Sequence, residues 1–71
     1  MTMQIPFTSF ELQWHLQNNV EPRLNKQTIE KVVEICNLVN MGEMCLDDEI
    51  SEGTGIYVSD MLTDLHIEYN D

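Results

Sequence analysis

The sequence predicts an α+β fold, a small single domain (residues 1–71) with two or three helices and a short two- or three-stranded sheet. A chain of 71 residues is long enough for one domain with a thin core. Two segments combine helix-capping residues with apolar residues at helical spacing. Shorter β-prone runs lie at residues 2–6 and 56–58, which predicts that strands accompany the helices.

The first element is predicted to be a strand over residues 2–6. Apolar and polar side chains alternate from Met1 to Ile5, as they do in a strand with one buried face. Pro6 cannot donate a backbone hydrogen bond to a sheet, so the strand should end there.

The first helix is predicted to begin at Ser9. Thr8 and Glu11 have the spacing of a capping box, in which each side chain accepts a hydrogen bond from the backbone of the other. Phe7 and Leu12 stand at the two positions of a hydrophobic staple, which supports the same start.

This helix is predicted to end near residues 18–19 and to carry a broad apolar face. The face consists of two pairs of residues four positions apart, Phe10 with Trp14 and Leu12 with Leu16. We expect Phe10 and Trp14 to pack in the core, because aromatic side chains bury large apolar areas.

A second helix is predicted to follow Asn25, which is a good N-cap residue, and to stop at Gly42. Its apolar positions recur at helical spacing along one stripe: Ile29, Val32, Val33, Cys36 and Val39. The next segment, residues 43–52, fits either a short helical turn or a loop.

The C-terminal segment has two interpretations. Alternation at Leu65, Ile67 and Tyr69 predicts a strand. A helix that starts after Ser59 as N-cap fits the apolar spacing better, and we favour it. The residues that match this helical template are Met61, Leu62, Leu65, His66 and Tyr69.

The charge of the chain is strongly negative and one-sided. Thirteen Asp and Glu residues face three Lys and Arg residues, for a formal net charge of −10. Residues 1–31 are neutral overall, so all of the net charge lies in the acidic half, residues 32–71. Such a surface repels phosphate groups, which excludes direct DNA or RNA binding and disfavours anionic membranes.

The motifs of enzymes and metal proteins do not fit the sequence. Aligning Gly53 with the invariant glycine of a calcium-binding EF-hand loop leaves Ile50 and Ser59 where acidic ligands are required. Cys36 and Cys45 are too far apart for a zinc pair, so we expect free, buried, reduced thiols. No secretion signal and no membrane-spanning run is predicted, so we expect a cytoplasmic protein without cofactor, metal or enzymatic activity.

The carboxylates near the C-terminus have a spacing that is comparable to that of DNA phosphates. On a C-terminal helix Asp60, Asp64 and Glu68 stand four residues apart, about 6 Å along the axis, and Asp71 continues the column. Successive phosphates of one DNA strand advance about 3.4 Å along the duplex and lie further apart in space. A second row is available in the preceding segment: Asp47, Asp48, Glu49 and Glu52.

In its size, acidity and placement of carboxylates, the chain resembles the phage-encoded host-takeover proteins that mimic DNA. These include antirestriction proteins, some CRISPR inhibitors and inhibitors of the histone-like nucleoid protein HU. The resemblance implies a protein of the host-cell cytoplasm that occupies the basic DNA-binding surface of a host protein, with carboxylates in place of phosphates. Proteins of this kind often act as homodimers, and a thin core independently favours a dimer.

A different class of function stays open. The chain is alternatively a small inhibitor or adaptor that binds a host protein through an exposed apolar helix face, with Met41, Met44 and Leu46 as candidates. Its acidity would then serve solubility only. A small acidic enzyme subunit or an antitoxin is a third alternative.

Overall fold

The computed structural model describes residues 5–20 and 23–70 of the chain. Three α-helices lie in this part: α1 (Ser9–Asn18), α2 (Lys26–Asn40) and α3 (Val58–Asp64). Helices α1 and α2 pack directly against each other. The helices and the segments around them share one core, to which Ile5, Val20 and Ile67 also contribute buried side chains.

The prediction of an α+β fold with a short sheet is wrong, because the described residues form a small helical protein without a β-strand. The β-prone run at 56–58 makes only an isolated antiparallel bridge, between Tyr57 and Glu49. Pairing cannot extend further along the chain because Val58 already begins α3. The predicted strand at 2–6 lies mostly outside the described residues, and its described end, Ile5 and Pro6, is not in a strand.

Helix α1 begins at Ser9, as the capping signals predict. The Thr8 side chain accepts a hydrogen bond from the Glu11 backbone N–H at 3.1 Å, and Glu11 accepts one from the Thr8 N–H at 3.0 Å. Both expected bonds of the capping box are therefore present. They satisfy two backbone donors that the first turn of a helix otherwise leaves without a partner.

The prediction that Phe10 and Trp14 pack in the core is wrong. Leu12 and Leu16 are fully buried, whereas Phe10 is 78% and Trp14 is 56% exposed. Residues two positions apart are about 200° apart around a helix axis, so the two pairs point to nearly opposite sides. Once the leucine pair faces α2, the aromatic pair must face solvent.

Helix α2 is capped by Asn25, whose side chain accepts a hydrogen bond from the Thr28 N–H at 2.8 Å. The predicted apolar stripe is buried along its whole length, together with Ile35. Gly42 ends the helix in a left-handed conformation (φ 80°). The Gly42 N–H donates to Val39 and the Glu43 N–H donates to Leu38, which is the hydrogen-bond pattern of a Schellman motif.

Helix α3 is shorter than the favoured helical interpretation. It begins after Tyr57 rather than after Ser59, and it ends at Asp64. Its end is a second Schellman motif: the His66 N–H donates to Thr63 and the Ile67 N–H donates to Leu62. Ile67 and Leu62 are both buried, so their apolar side chains reinforce this stop.

Two further hydrogen bonds join distant parts of the fold. The Asn40 side-chain amide pairs with both backbone groups of Ile5, accepting from its N–H at 2.6 Å and donating to its carbonyl at 3.1 Å. The His15 Nε2 atom lies 2.9 Å from the Leu65 carbonyl oxygen, which ties α1 to the end of α3. None of the described helices combines the length and apolar character that crossing a bilayer requires.

Candidate protein-binding surface

The loop between α2 and α3 folds back onto the start of α3. The Val58 N–H donates to the Asp48 carbonyl at 2.9 Å, and the Ser59 N–H donates to the Leu46 carbonyl at 3.2 Å. Within the loop, the Ile50 N–H donates to the Ile56 carbonyl at 2.8 Å. The segment that the sequence leaves ambiguous is thus a series of turns, and it forms one unit with α3.

This unit carries most of the candidate site residues. We call their described members the acidic surface: Asp47, Asp48, Glu49, Glu52, Asp60, Asp64 and Glu68. All seven are exposed. Asp71, the remaining candidate, lies outside the described residues.

Three carboxylates of the acidic surface also hold the loop in shape. Asp48 accepts a hydrogen bond from the Cys45 N–H at 2.8 Å and closes a turn. Glu49 accepts one from the Gly55 N–H at 2.9 Å, across the turn that contains Gly53. Asp60 lies 3.4 Å from the Tyr57 backbone nitrogen at the start of α3. Their charges are available to a partner, but their positions are fixed by the fold.

The other four members have no such role. The side chains of Asp47, Glu52, Asp64 and Glu68 take part in none of the hydrogen bonds among the described residues. All four residues are exposed, and Asp64 also lines a groove between α2 and α3. These four residues are the part of the acidic surface that is free to contact a partner without disturbing the loop.

The predicted helical column of carboxylates is only half formed. Asp60 and Asp64 lie on α3, about 6 Å apart along its axis. The chain then leaves the helix through the left-handed residue His66 (φ 56°), so Glu68 does not continue the column. The regular pitch that the sequence predicts is therefore limited to one pair.

The acidic half presents its charge to solvent without a cation. Residues 32–70 contain nine carboxylates, all exposed and all in the described part of the chain, and no Lys or Arg. They are the seven members of the acidic surface together with Glu34 and Glu43. This segment is therefore negative throughout. The cation that precedes it in the chain, Lys31 of α2, lines the same groove as Asp64.

The apolar patch considered as an alternative is not a continuous exposed surface. Met41 is 68% exposed, but Met44 and Leu46 are partly buried and pack against the core. A groove of about 430 Å³ lies between α2, α3 and the loop, and it is lined mainly by apolar side chains such as Val32 and Met61.

Phe10 and Trp14, predicted to lie in the core, instead form an exposed aromatic surface. A cleft of about 450 Å³ runs along the outer side of α1, and we call it the aromatic cleft. Its lining consists of Phe7, Phe10, Glu11, Trp14, His15 and Asn19. The two-residue offset between the aromatic pair and the leucine pair of α1 is the sequence signal for it, since only one pair can face the core.

The two thiols of the described residues are not joined in a disulfide. Cys36 and Cys45 are both free; Cys36 is buried as expected, whereas Cys45 is exposed, contrary to expectation. Among residues 5–20 and 23–70, no three His, Cys, Asp or Glu side chains are grouped as metal ligands would be. Comparisons with protein families, with curated proteins and with solved structures found no match for the chain.

Proposed function

We propose that the protein is a DNA-mimic inhibitor that occupies the basic DNA-binding surface of another protein, using carboxylates in place of phosphates. A nucleoid-associated protein of the HU type, in the cytoplasm of a host cell, is a partner of the right chemistry. The observation that carries the proposal is the joining of the loop carboxylates and the α3 carboxylates in one exposed unit without a cation.

Electrostatics supports this class of partner. A one-sided negative surface attracts basic proteins over a distance of about 10 Å at 0.1 M salt and speeds their encounter. The same surface repels nucleic acids and other acidic proteins. A protein surface that binds DNA phosphates is rich in Lys and Arg, so its charge is opposite in sign to that of the acidic surface.

Mimicry in this protein rests on the density of carboxylates rather than on a regular helical column. Asp60 and Asp64 alone keep the helical spacing; the other charges lie in the loop between α2 and α3 or, for Glu68, after the end of α3. The adaptor alternative gains less support, because two of its three apolar candidates, Met44 and Leu46, pack against the core.

A competition experiment tests the proposal. Fluorescently labelled duplex DNA is bound to a purified HU-type protein, and its anisotropy is followed as our protein is added. We expect the duplex to be displaced. Direct binding to the same protein, measured by calorimetry, should weaken steeply from 0.1 M to 1 M salt, over which the screening length falls from about 10 Å to about 3 Å.

Two triple variants with equal net charge locate the interface. Asp47→Asn/Asp64→Asn/Glu68→Gln neutralises three free carboxylates of the acidic surface, while Glu30→Gln/Glu34→Gln/Glu43→Gln neutralises three exposed carboxylates elsewhere. The first triple should raise the concentration needed for displacement far more than the second. Absence of displacement would contradict the proposed function, and equal effects of the two triples would contradict the proposed surface.

A further inference from the structure

The aromatic cleft on α1 is a concave surface that the acidic surface does not include. Phe7 and His15 both line it, with their rings stacked at a centroid distance of 5.9 Å and an interplanar angle of 12°. The Leu65 carbonyl can only accept, so the His15 Nε2 atom carries a hydrogen and donates it, which fixes the ring. Phe10 and Trp14 line the cleft and leave much of their ring surface exposed.

The chemistry of this cleft fits a cation with a flat face. The faces of aromatic rings carry partial negative charge and attract guanidinium groups, which stack on them. Glu11 adds a carboxylate to the lining, in a chain whose net charge is −10. We propose that the aromatic cleft binds an arginine side chain of the partner. The inference deepens the proposed function, on which it rests, because a basic DNA-binding surface supplies that arginine.

The position of the cleft supports the same occupant. His15 is hydrogen-bonded to Leu65, the residue that directly follows Asp64 of the acidic surface. The cleft therefore adjoins the end of α3, where Asp64 is exposed and without a hydrogen bond among the described residues. Asp64 itself lines the groove between α2 and α3 rather than the cleft, so a basic partner that contacts both surfaces spans the end of α3.

A second copy of the chain fits this cleft less well. A standard interface buries roughly 800 Å² on each partner, whereas a whole aromatic side chain buries only about 150 to 250 Å². Phe10 and Trp14, already partly covered, supply well under half of the area that a stable dimer needs. Bringing two chains of charge −10 together adds repulsion.

The single tryptophan of the chain lines the cleft, so fluorescence excited selectively at tryptophan reports on Trp14 rather than on the two tyrosines. The full chain is titrated at constant ionic strength with N-acetylarginine amide and, in parallel, with N-acetylcitrulline amide, its uncharged analogue. We expect a saturable change for the arginine compound at millimolar concentration and a much weaker, unsaturated one for the citrulline compound.

Matched variants separate the cleft from the general negative field. Phe10→Leu keeps an exposed apolar side chain but removes a ring face, and it should weaken arginine binding about two- to fivefold. Asp47→Asn/Glu52→Gln removes two charges outside the cleft and should change the affinity less than Phe10→Leu does. Circular dichroism confirms that each variant is folded.

Three outcomes would overturn the inference: equal binding of the two compounds, no effect of Phe10→Leu, or a dimer in sedimentation that Phe10→Leu abolishes. The titration needs no DNA-binding protein, so its failure leaves the proposed function untouched. Conversely, saturable arginine binding without displacement of duplex DNA supports the arginine site and contradicts only the DNA-binding class of partner.

Discussion

Replacing His66 by glycine should stabilise the protein. His66 is the residue that ends α3 in the left-handed backbone conformation, at φ 56°. The side chain of an L-residue is crowded in that conformation, whereas glycine adopts it freely. The His66 side chain is exposed, so its removal sacrifices little packing. The hydrogen bonds of the Schellman motif use backbone atoms only and should persist in the variant.

The size of the effect follows from two opposing contributions. The left-handed conformation costs an L-residue roughly 1 to 2 kcal/mol. Glycine loses more backbone entropy on folding, which costs about 0.5 to 1 kcal/mol. The free energy of unfolding should therefore rise by up to about 1.5 kcal/mol, with a central value of about 0.75 kcal/mol. That central value corresponds to a gain of roughly 3 to 6 °C in melting temperature for a domain of this length.

The reciprocal change at the end of α2 is the matched control. Gly42 occupies the same position of the same motif, at φ 80°, so Gly42→His should destabilise the protein by a similar amount. Urea and thermal unfolding, followed by circular dichroism, measure both variants. A His66→Gly variant less stable than the parent, with Gly42→His behaving as expected, would refute the Schellman end of α3.

Three further outcomes follow from individual side chains. Hydrogen bonds from the N-cap residue Thr8 lower the pKa of Glu11 below the usual value of a glutamate. The stability that Glu11 contributes is therefore present above the usual pKa and lost as the pH falls through the lowered pKa. Acid unfolding of Glu11→Gln should start from a lower stability and show a smaller loss. Burial raises the pKa of the Cys36 thiol to about 11. Iodoacetamide at pH 8 should therefore alkylate only Cys45 in the folded protein, but both thiols in urea. Mass spectrometry counts the alkylated thiols. Asp48→Ala removes the acceptor of the Cys45 N–H and should lower the free energy of unfolding in urea by about 1 kcal/mol. Asp47→Ala removes the same charge without a hydrogen bond and should leave the free energy of unfolding almost unchanged. Equal losses of stability in the two variants would contradict the loop-forming role of Asp48.

The sequence predicts a helix boundary well where one residue type carries the signal. The start of α1 follows from the Thr8 and Glu11 pair, and the start of α2 follows from Asn25. The end of α2 is equally readable, because glycine is the common residue at the left-handed position. The end of α3 uses the same motif with His66 in that position, and histidine gives no comparable signal.

Tertiary packing decides which face of α1 is buried, and the local sequence of the helix does not predict that face. Four apolar residues of α1 surround much of its axis, and only contact with α2 decides that the leucines face inward. The strand prediction at residues 56–58 is wrong for a similar reason. The Val58 N–H donates a hydrogen bond to the loop, and Val58 begins α3 instead of extending a strand. Local propensity is overridden where a helix end or a loop already uses the backbone donors.

The carboxylates of the acidic surface have two roles, charge and loop structure, and neutralising variants must distinguish between them. Asp48, Glu49 and Asp60 contribute charge, but each also accepts a backbone hydrogen bond or caps α3, so removing them alters the shape of the surface. A loss of partner binding in such variants would therefore say little about charge recognition. The free carboxylates carry charge alone, and variants at Asp64 and Glu68 test recognition without disturbing the loop. If the protein mimics DNA, affinity should follow the number of free carboxylates even when stability stays constant.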